Sequence, residues 1–138
     1  MILSGKGNGP MKIVVDSSAW IEFFLGTPAA KPVRDLLRNA GNVIVPTVVV
    51  LEVVKWVRRH HGEAEAARRA VVMKQGVVAD LTVELAMKAV EVGFAHKLAT
   101  ADSIVYATAL ENKATVWTFD ADFEGLAGVR CLAKGAGR

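Results

Sequence analysis

Short runs of β-branched residues alternate along this chain with longer helical patterns, and this alternation is the feature that most limits its fold. Parallel strands need a crossover connection between them, and a helix usually provides it. The alternation therefore predicts a three-layer α/β fold in which helices flank a central parallel sheet of four to five strands. We expect strands at 12–15, 43–45, 77–79 and 115–119, and an edge strand at 129–132.

Threonine stands at or before the start of three of the predicted helices, where its hydroxyl can accept a hydrogen bond from a free first-turn amide. Thr47, Thr82 and Thr100 are therefore predicted as caps. Pro28 and Pro32 suit the first turn of another helix, where a missing amide hydrogen costs little. Helices are predicted at 17–25, 28–39, 47–60, 63–75, 83–96 and 101–112, with a helical turn at 121–126.

The chain of 138 residues has the length of one domain, which we place at residues 11–138. The first ten residues, MILSGKGNGP, are mostly small or polar, so we predict a flexible extension or a remnant of cloning. The most apolar stretch, residues 43–54, is shorter than the roughly 20 residues that a membrane helix needs. A single cysteine excludes a disulfide framework and a Cys-based zinc site. We expect a cytoplasmic protein.

Two carboxylates directly follow predicted strands: Asp16 follows KIVV, and Asp120 follows TVWTF. Open α/β sheets bind their ligands outside the carboxyl ends of the strands, so this placement indicates a site. Each residue also has a structural interpretation. Asp16 can cap the following helix, and Asp120 can form an Asx turn with Asp122 as the chain leaves the strand.

Glu52 has an improbable setting, because Val48, Val49 and Trp56 share its helical face. A carboxylate buried there needs a partner, which could be a backbone amide, an arginine or a metal ion. Asp102 lies in the first turn of a predicted helix, where the helix dipole favours an anion. The run that follows it, SIVYATA, is small and apolar, so we expect this helix to be buried.

Taken together, four carboxylates at one rim would repel each other by roughly 3 kcal/mol per pair at ~5 Å and an effective dielectric constant of ~20. A divalent cation would relieve this repulsion, and ligation by oxygen alone favours Mg²⁺ or Mn²⁺. The formal net charge is +3, from 17 basic and 14 acidic residues. Setting four carboxylates aside at a metal leaves 17 basic against 10 acidic residues, a surface that suits a polyanionic substrate.

Four segments make the chain similar to the PIN-domain family, and specifically to VapC-type toxins. They are VVDSSAWIEFF, VPTVVVLEVV, HKLATADSIVYATAL and TVWTFDADFEGL, in the family's order, and they cover about residues 11–126. The resemblance implies that the metal-binding and catalytic acids are Asp16, Glu52, Asp102 and Asp120, with Asp16 and Asp102 as the principal ligands. It further implies that Asp122 is a second acid of the last motif, and that Ser17 and Thr118 support the acids.

The same resemblance implies a Mg²⁺- or Mn²⁺-dependent endoribonuclease that hydrolyses RNA with a metal-activated water. Such a protein would be the toxin of a type II toxin–antitoxin pair, with a VapB-type antitoxin as partner, and would form a homodimer. Two alternatives stay open: a PIN-family nuclease that processes or degrades RNA without an antitoxin, and a non-catalytic module that a cation stabilises. The number of metal ions and the choice between Asp120 and Asp122 as the fourth acid are also open.

Two further patterns have competing interpretations. The run KWVRRHH at residues 55–61 places cations at a helix carboxyl end, where they suit the dipole, but it could also contact RNA phosphates. The aromatic residues Trp20, Phe23 and Phe24 are predicted to be core. In similar toxins the corresponding helix helps form an antitoxin groove, so part of this stripe could be exposed.

Overall fold

A computed structural model describes residues 11–134, and the predicted extension at residues 1–10 lies outside them. The strands are β1 (Ile13–Val15), β2 (Val43–Pro46), β3 (Val77–Ala79), β4 (Thr115–Thr118) and β5 (Val129–Cys131). The helices are α1 (Ser17–Leu25), α2 (Lys31–Leu37), α3 (Thr47–His61), α4 (Glu63–Met73), α5 (Val83–His96) and α6 (Thr100–Glu111). Three short 3₁₀ turns cover Pro28–Ala30, Ala40–Asn42 and Ala121–Phe123.

The five strands form one sheet in the order β3-β2-β1-β4-β5, and every pairing is parallel. β1 lies at the centre, where Val14 pairs with Ile44 on one side and Val116 on the other. All three residues of β1 are fully buried, as expected for a β-branched strand that helices cover on both faces. The predicted three-layer α/β fold is confirmed, and so is the position of β5 at an edge.

The strand order creates a crevice at the carboxyl ends of β1 and β4. The chain runs from β1 to β2 and on to β3 in one direction, and β4 then pairs on the opposite side of β1. Connections on the two sides leave in opposite directions, so the loops after β1 and β4 separate and leave a gap between them. Asp16 and Asp120 are the first residues after these two strands.

Three local predictions need correction. The helix expected at 28–39 is instead a 3₁₀ turn followed by α2, because the ring of Pro32 disfavours helical backbone in the residue before it. Thr47 and Thr100 are not caps but the first residues of α3 and α6, since the extended cap positions are Pro46 and Ala99. The cap at Thr82 is confirmed by a 3.1 Å hydrogen bond that its hydroxyl accepts from the Leu85 amide.

Helix α6 is buried almost all round, as its small apolar sequence predicts: the seven residues from Ser103 to Ala109 are all buried. It packs against α5, and Gly93 permits the close approach, since a Cβ there would lie 2.6 Å from Ser103 Oγ. Trp20 is fully buried and Phe23 and Phe24 are half-buried. Among residues 11–134, none of the helices has the length and apolar character needed to cross a membrane.

Gly76, which connects α4 to β3, provides a test of this packing. A Cβ there would lie 2.7 Å from Val45 Cγ2 and 2.9 Å from the carbonyl oxygen of Val43. Gly76→Ala should therefore lower the free energy of unfolding by about 1–3 kcal/mol, measured by urea denaturation. In the control Gly41→Ala the nearest atom to the new Cβ is 3.8 Å away, so a change within about 0.5 kcal/mol is expected. Equal stability of the two variants would contradict this packing.

Candidate metal centre

Asp16 ends the central strand and begins α1. Its side chain caps the helix, with Oδ1 accepting a 3.0 Å hydrogen bond from the Ala19 amide. Oδ1 also accepts from Ser18 Oγ at 2.7 Å, and Oδ2 accepts from Thr118 Oγ1. Burial raises the pKa of the Asp16 carboxyl above its ordinary value, although the bonds from Thr118, Ala19 and Ser18 oppose the shift. Asp16 is thus both a helix cap and a fixed, buried carboxylate.

Two hydroxyl groups connect Asp16 to the end of β4. Thr118 Oγ1 donates to Asp16 and accepts a 2.8 Å hydrogen bond from the amide of Asp120. Ser18 Oγ donates to Asp16 and accepts a 2.9 Å hydrogen bond from the amide of Phe119. These bonds join segments about 100 residues apart, and they fix where Asp120 leaves the strand.

Ser18 is a functional candidate that the sequence did not single out. The sequence analysis selected its neighbour Ser17, and DSSAW offers no sign of which serine faces β4. An Asp followed by two serines at a helix start does indicate that one hydroxyl is available to the carboxylate. The choice between them depends on which side of α1 meets the sheet.

Glu52 lies on α3 and faces the first turn of α1. Its Oε1 accepts a 2.6 Å hydrogen bond from Ser17 Oγ, and the side chain is partly buried rather than enclosed. The described residues thus give Glu52 a hydroxyl as partner, where the sequence had left a backbone amide or an arginine as structural alternatives. Ser17 and Thr118, both predicted to support the acids, each contact one of them.

Three further carboxylates converge at the amino end of α6. Asp102, in the first turn of α6, offers one oxygen that lies with one from Asp120 and one from Asp122 in a group whose members are all within 4.8 Å of each other. Asp120 also accepts a 2.9 Å hydrogen bond from the amide of Asp122, which is the predicted Asx turn. The turn brings Asp122 into the group, so both candidates for the fourth acid are present.

Asp102 carries the clearest electrostatic sign of the cluster. Its pKa is raised to about 6, first by partial burial and then by the negative charges of Asp120, Asp16, Glu52 and Asp122. Each of the other four carboxylates therefore acts on it, and the structure brings together all four acids predicted from the sequence, with Asp122 as a fifth.

The donor set fits a hard divalent cation. Only carboxylate oxygens converge in the group of three, and such ligands are typical of Mg²⁺ and Mn²⁺ rather than of softer metals. A proton on Asp102 relieves part of the repulsion, but a divalent cation offsets more of it because it carries two charges and interacts with several carboxylates at once.

The basic run at residues 55–61 lies farther along α3. Arg58 pairs with Glu63 at 2.9 Å, and the ring of His60 stacks on that of Trp56 with centroids 4.2 Å apart. At a rise of 1.5 Å per residue, His61 is about 13 Å along the helix axis from Glu52. These contacts account for part of the run locally, and its contact with RNA stays a prediction.

The family model for the PIN domain matches residues 13–129 of the chain. A toxin–antitoxin complex from Klebsiella pneumoniae has a similar fold, with 21% identity, a TM-score of 0.75, and 86% of this chain and 96% of that chain covered. A VapC toxin from Mycobacterium tuberculosis that cleaves the sarcin–ricin loop has 21% identity and a TM-score of 0.74 over 88% of this chain and 100% of its own.

DNA-bound VapBC from Salmonella typhimurium has 14% identity and a TM-score of 0.70, with 91% of this chain and 100% of that chain covered. Identities this low show similarity of fold. No curated protein matches the sequence.

Metal binding should depend on pH through Asp102. Below its pKa of about 6 the carboxyl holds a proton, which has to leave before the oxygen can bind a cation. The affinity for Mn²⁺, measured by titration calorimetry, should therefore fall by up to roughly tenfold per pH unit below that pKa. Asp102→Asn should bind Mn²⁺ more weakly at pH 7.5 and show a shallower dependence. Equal affinity of the unaltered protein at pH 5 and pH 7.5 would argue against this coupling.

The link through Ser18 can be tested by Ser18→Ala. The variant loses the bond to Asp16 and leaves the amide of Phe119 without this acceptor, so the free energy of unfolding should fall by about 1–3 kcal/mol. Mn²⁺ affinity should fall as well, because Asp16 and Asp120 lose a shared anchor. Ser17→Ala removes only the bond to Glu52 and should destabilise less. If Ser18→Ala matches the unaltered protein in urea denaturation and Mn²⁺ titration, the link has no such role.

Proposed function

Because this chain belongs to the PIN-domain family, we propose that it is a metal-dependent endoribonuclease and the toxin of a type II toxin–antitoxin pair. One observation carries the proposal: Asp102 is surrounded by four other carboxylates at the crevice between β1 and β4. Such a cluster is costly in a metal-free protein, and it is the arrangement that divalent-metal hydrolysis of a phosphodiester needs.

We assign the metal-binding role to Asp16, Glu52, Asp102 and Asp120, with Asp16 and Asp102 as the principal ligands. The three hydrogen bonds to Asp16 keep its oxygens in place, which lowers the entropy lost when an ion binds. Asp122 belongs to the same group of oxygens as Asp102 and Asp120, and we propose that it binds directly or through a water.

A bound Mg²⁺ or Mn²⁺ supplies Lewis acidity toward the scissile phosphate and lowers the pKa of a coordinated water. The protein's own groups supply orientation and a proton acceptor. We assign the acceptor role to Oε2 of Glu52, because Ser17 Oγ binds Oε1 at 2.6 Å and thereby fixes the carboxylate plane. Asp120, which the hydroxyl of Thr118 positions through its amide, is the alternative acceptor.

An antitoxin partner is part of the proposal. Similar folds occur in a toxin–antitoxin complex and in DNA-bound VapBC. In this chain, half-buried Phe24 and Trp56 line a cleft of about 420 Å³ between α1, α3 and α4, together with Arg68 and Arg69. A VapB-type segment with apolar and acidic side chains would complement this lining. We further propose that the protein is a homodimer and acts on cytoplasmic RNA.

The RNA-processing alternative differs from the toxin in its genetic setting rather than in its site. A small open reading frame directly upstream that encodes a DNA-binding protein would favour the toxin, and co-purification of the two products would support the pair. A non-catalytic cation-binding module has no need of five carboxylates around one position, so the cluster argues against it.

The purified protein should cleave single-stranded or structured RNA in Mg²⁺ or Mn²⁺, and EDTA should abolish the cleavage. Asp102→Asn and Asp16→Asn should each lower the rate by about 10²-fold or more, because each removes charge from the metal site. Asp35→Asn is the matched control, since Asp35 is on α2 and pairs with Lys31. Undiminished cleavage by the first two variants would contradict the ligand assignment, and Asp120→Asn and Asp122→Asn would rank the fourth acid.

A further inference from the structure

The outer face of α5 carries an apolar stripe that contacts solvent. Val83, Met87, Val90 and Phe94 are 75%, 63%, 49% and 85% exposed, so Phe94 is almost fully accessible. Their spacing of four, three and four residues is the repeat of a seam between two packed helices. Leu81, just before α5, extends the stripe and is 45% exposed. A soluble monomer rarely leaves such a contiguous set uncovered.

A groove runs along one side of this stripe, between α5 and α6. It has a volume of about 450 Å³, and Phe94 lies at its rim. Small side chains on α5 leave the space, and longer apolar ones from the neighbouring segments close it. The lining includes Leu81, Ala86, Ala89, Gly93, Leu98 and Ile104.

We infer that this face, which we call the α5 face, binds a second copy of the chain. The two α5 helices pack antiparallel about a two-fold axis, and the Phe94 ring of each copy enters the groove of the other. A two-fold interface uses the same surface on both copies, so that surface has to be complementary to itself. The α5 face meets this requirement because it carries a protruding aromatic ring and an apolar groove side by side.

The order of side chains along α5 is also self-complementary. With the axis between Lys88 and Ala89, antiparallel packing sets Val83 against the partner's Phe94, and Met87 against the partner's Val90. On a helix of 3.6 residues per turn, the exposed Glu84, Lys88 and Glu91 follow the side of the stripe opposite the groove. The axis brings this charged side of one copy against that of the other, where Lys88 lies within reach of the partner's Glu91.

The size of the face suits a second copy. Its five exposed apolar residues present on the order of 600 Å² of surface, and a standard protein interface buries roughly 800 Å² on each partner. The charged side of the stripe and the rim of the groove would supply the remaining area. An apolar centre with charged residues at one margin is the usual arrangement of a stable interface.

Association at this face would also support the acidic site, a consequence that depends on the proposed function. Thr100 and Ser103, which line the groove, flank Asp102 in the first turn of α6. Ser103 Oγ donates to the carbonyl of Ala99 at 2.9 Å, so this turn is already fastened on one side. A ring in the groove would pack against the turn from the other side and limit its movement. Asp102 would thereby be better held for metal binding.

Light scattering on the purified full-length chain tests the dimer without any need for RNA or metal. The unaltered protein should have the mass of a dimer at micromolar concentration, and Phe94→Asp and Val83→Asp should each shift it to a monomer. Leu110→Asp is the matched control, since Leu110 is 51% exposed on α6 but lies outside both the stripe and the groove lining; it should remain a dimer. Circular dichroism should show all variants folded, because the altered side chains are exposed.

A monomeric unaltered protein, or a Phe94→Asp variant that remains dimeric, would overturn the α5 face as the interface, including the case in which an antitoxin covers it instead. For the link to Asp102, Mn²⁺ affinity should fall about threefold or more in Phe94→Asp and stay unchanged in Leu110→Asp. Unchanged affinity in monomeric Phe94→Asp would overturn the link alone. Because neither measurement uses RNA cleavage, a dimer in a protein without nuclease activity would count against the proposed function and not against the interface.

Discussion

The mutual repulsion of five carboxylates around Asp102 is the constraint on which the rest of the site depends. Negative charges on all sides and partial burial raise the Asp102 pKa to about 6, so in the metal-free protein this side chain titrates not far below neutral pH. A chain that folds with such a group has to hold the acids against their own repulsion. Hydroxyl groups do this work: Ser18 and Thr118 hold Asp16, and Ser17 holds Glu52. These bonds are short, directional and partly or fully shielded from water, which is why they can hold the carboxylates in place before a cation arrives.

The parallel sheet supplies the frame for these bonds. β1 is buried on both faces and pairs with β2 and β4, so the position of Asp16 is fixed by the core rather than by a loop. Asp120 follows the neighbouring strand and shares its hydroxyl contacts. Asp102 comes from a different kind of element, the amino end of α6, whose middle residues are all buried. The first turn of α6 lies between the acidic cluster and the groove beside α5. That position is what allows an event at the α5 face to reach the metal centre.

Several particulars show where prediction from the sequence succeeded and where it failed. Asp16 and Asp120 were found because strand ends of a parallel sheet share one edge, and Glu52 because its neighbours on α3 are apolar. The caps at Thr47 and Thr100 were wrong by one residue, since Pro46 and Ala99 adopt the extended backbone of a cap and leave each threonine inside its helix. Ser18 was missed because two adjacent serines look alike in a sequence, and only contact with β4 separates them. Asp122 entered the group through a turn whose geometry depends on the same contact.

The sequence by itself determined the layering of the fold, the sites of its strands and helices, and the acids that could meet at one rim. These follow from local periods of hydrophobic residues and from the rule that parallel strands end at one edge, both of which are properties of short segments. Tertiary structure alone decided which hydroxyl holds which acid, that Asp102 stands at the centre of the charge, and that Val83, Met87 and Phe94 face solvent on α5. Those outcomes come from contacts between residues far apart in the chain, often about 100 positions, and no local pattern encodes the side of an element that such a contact will use.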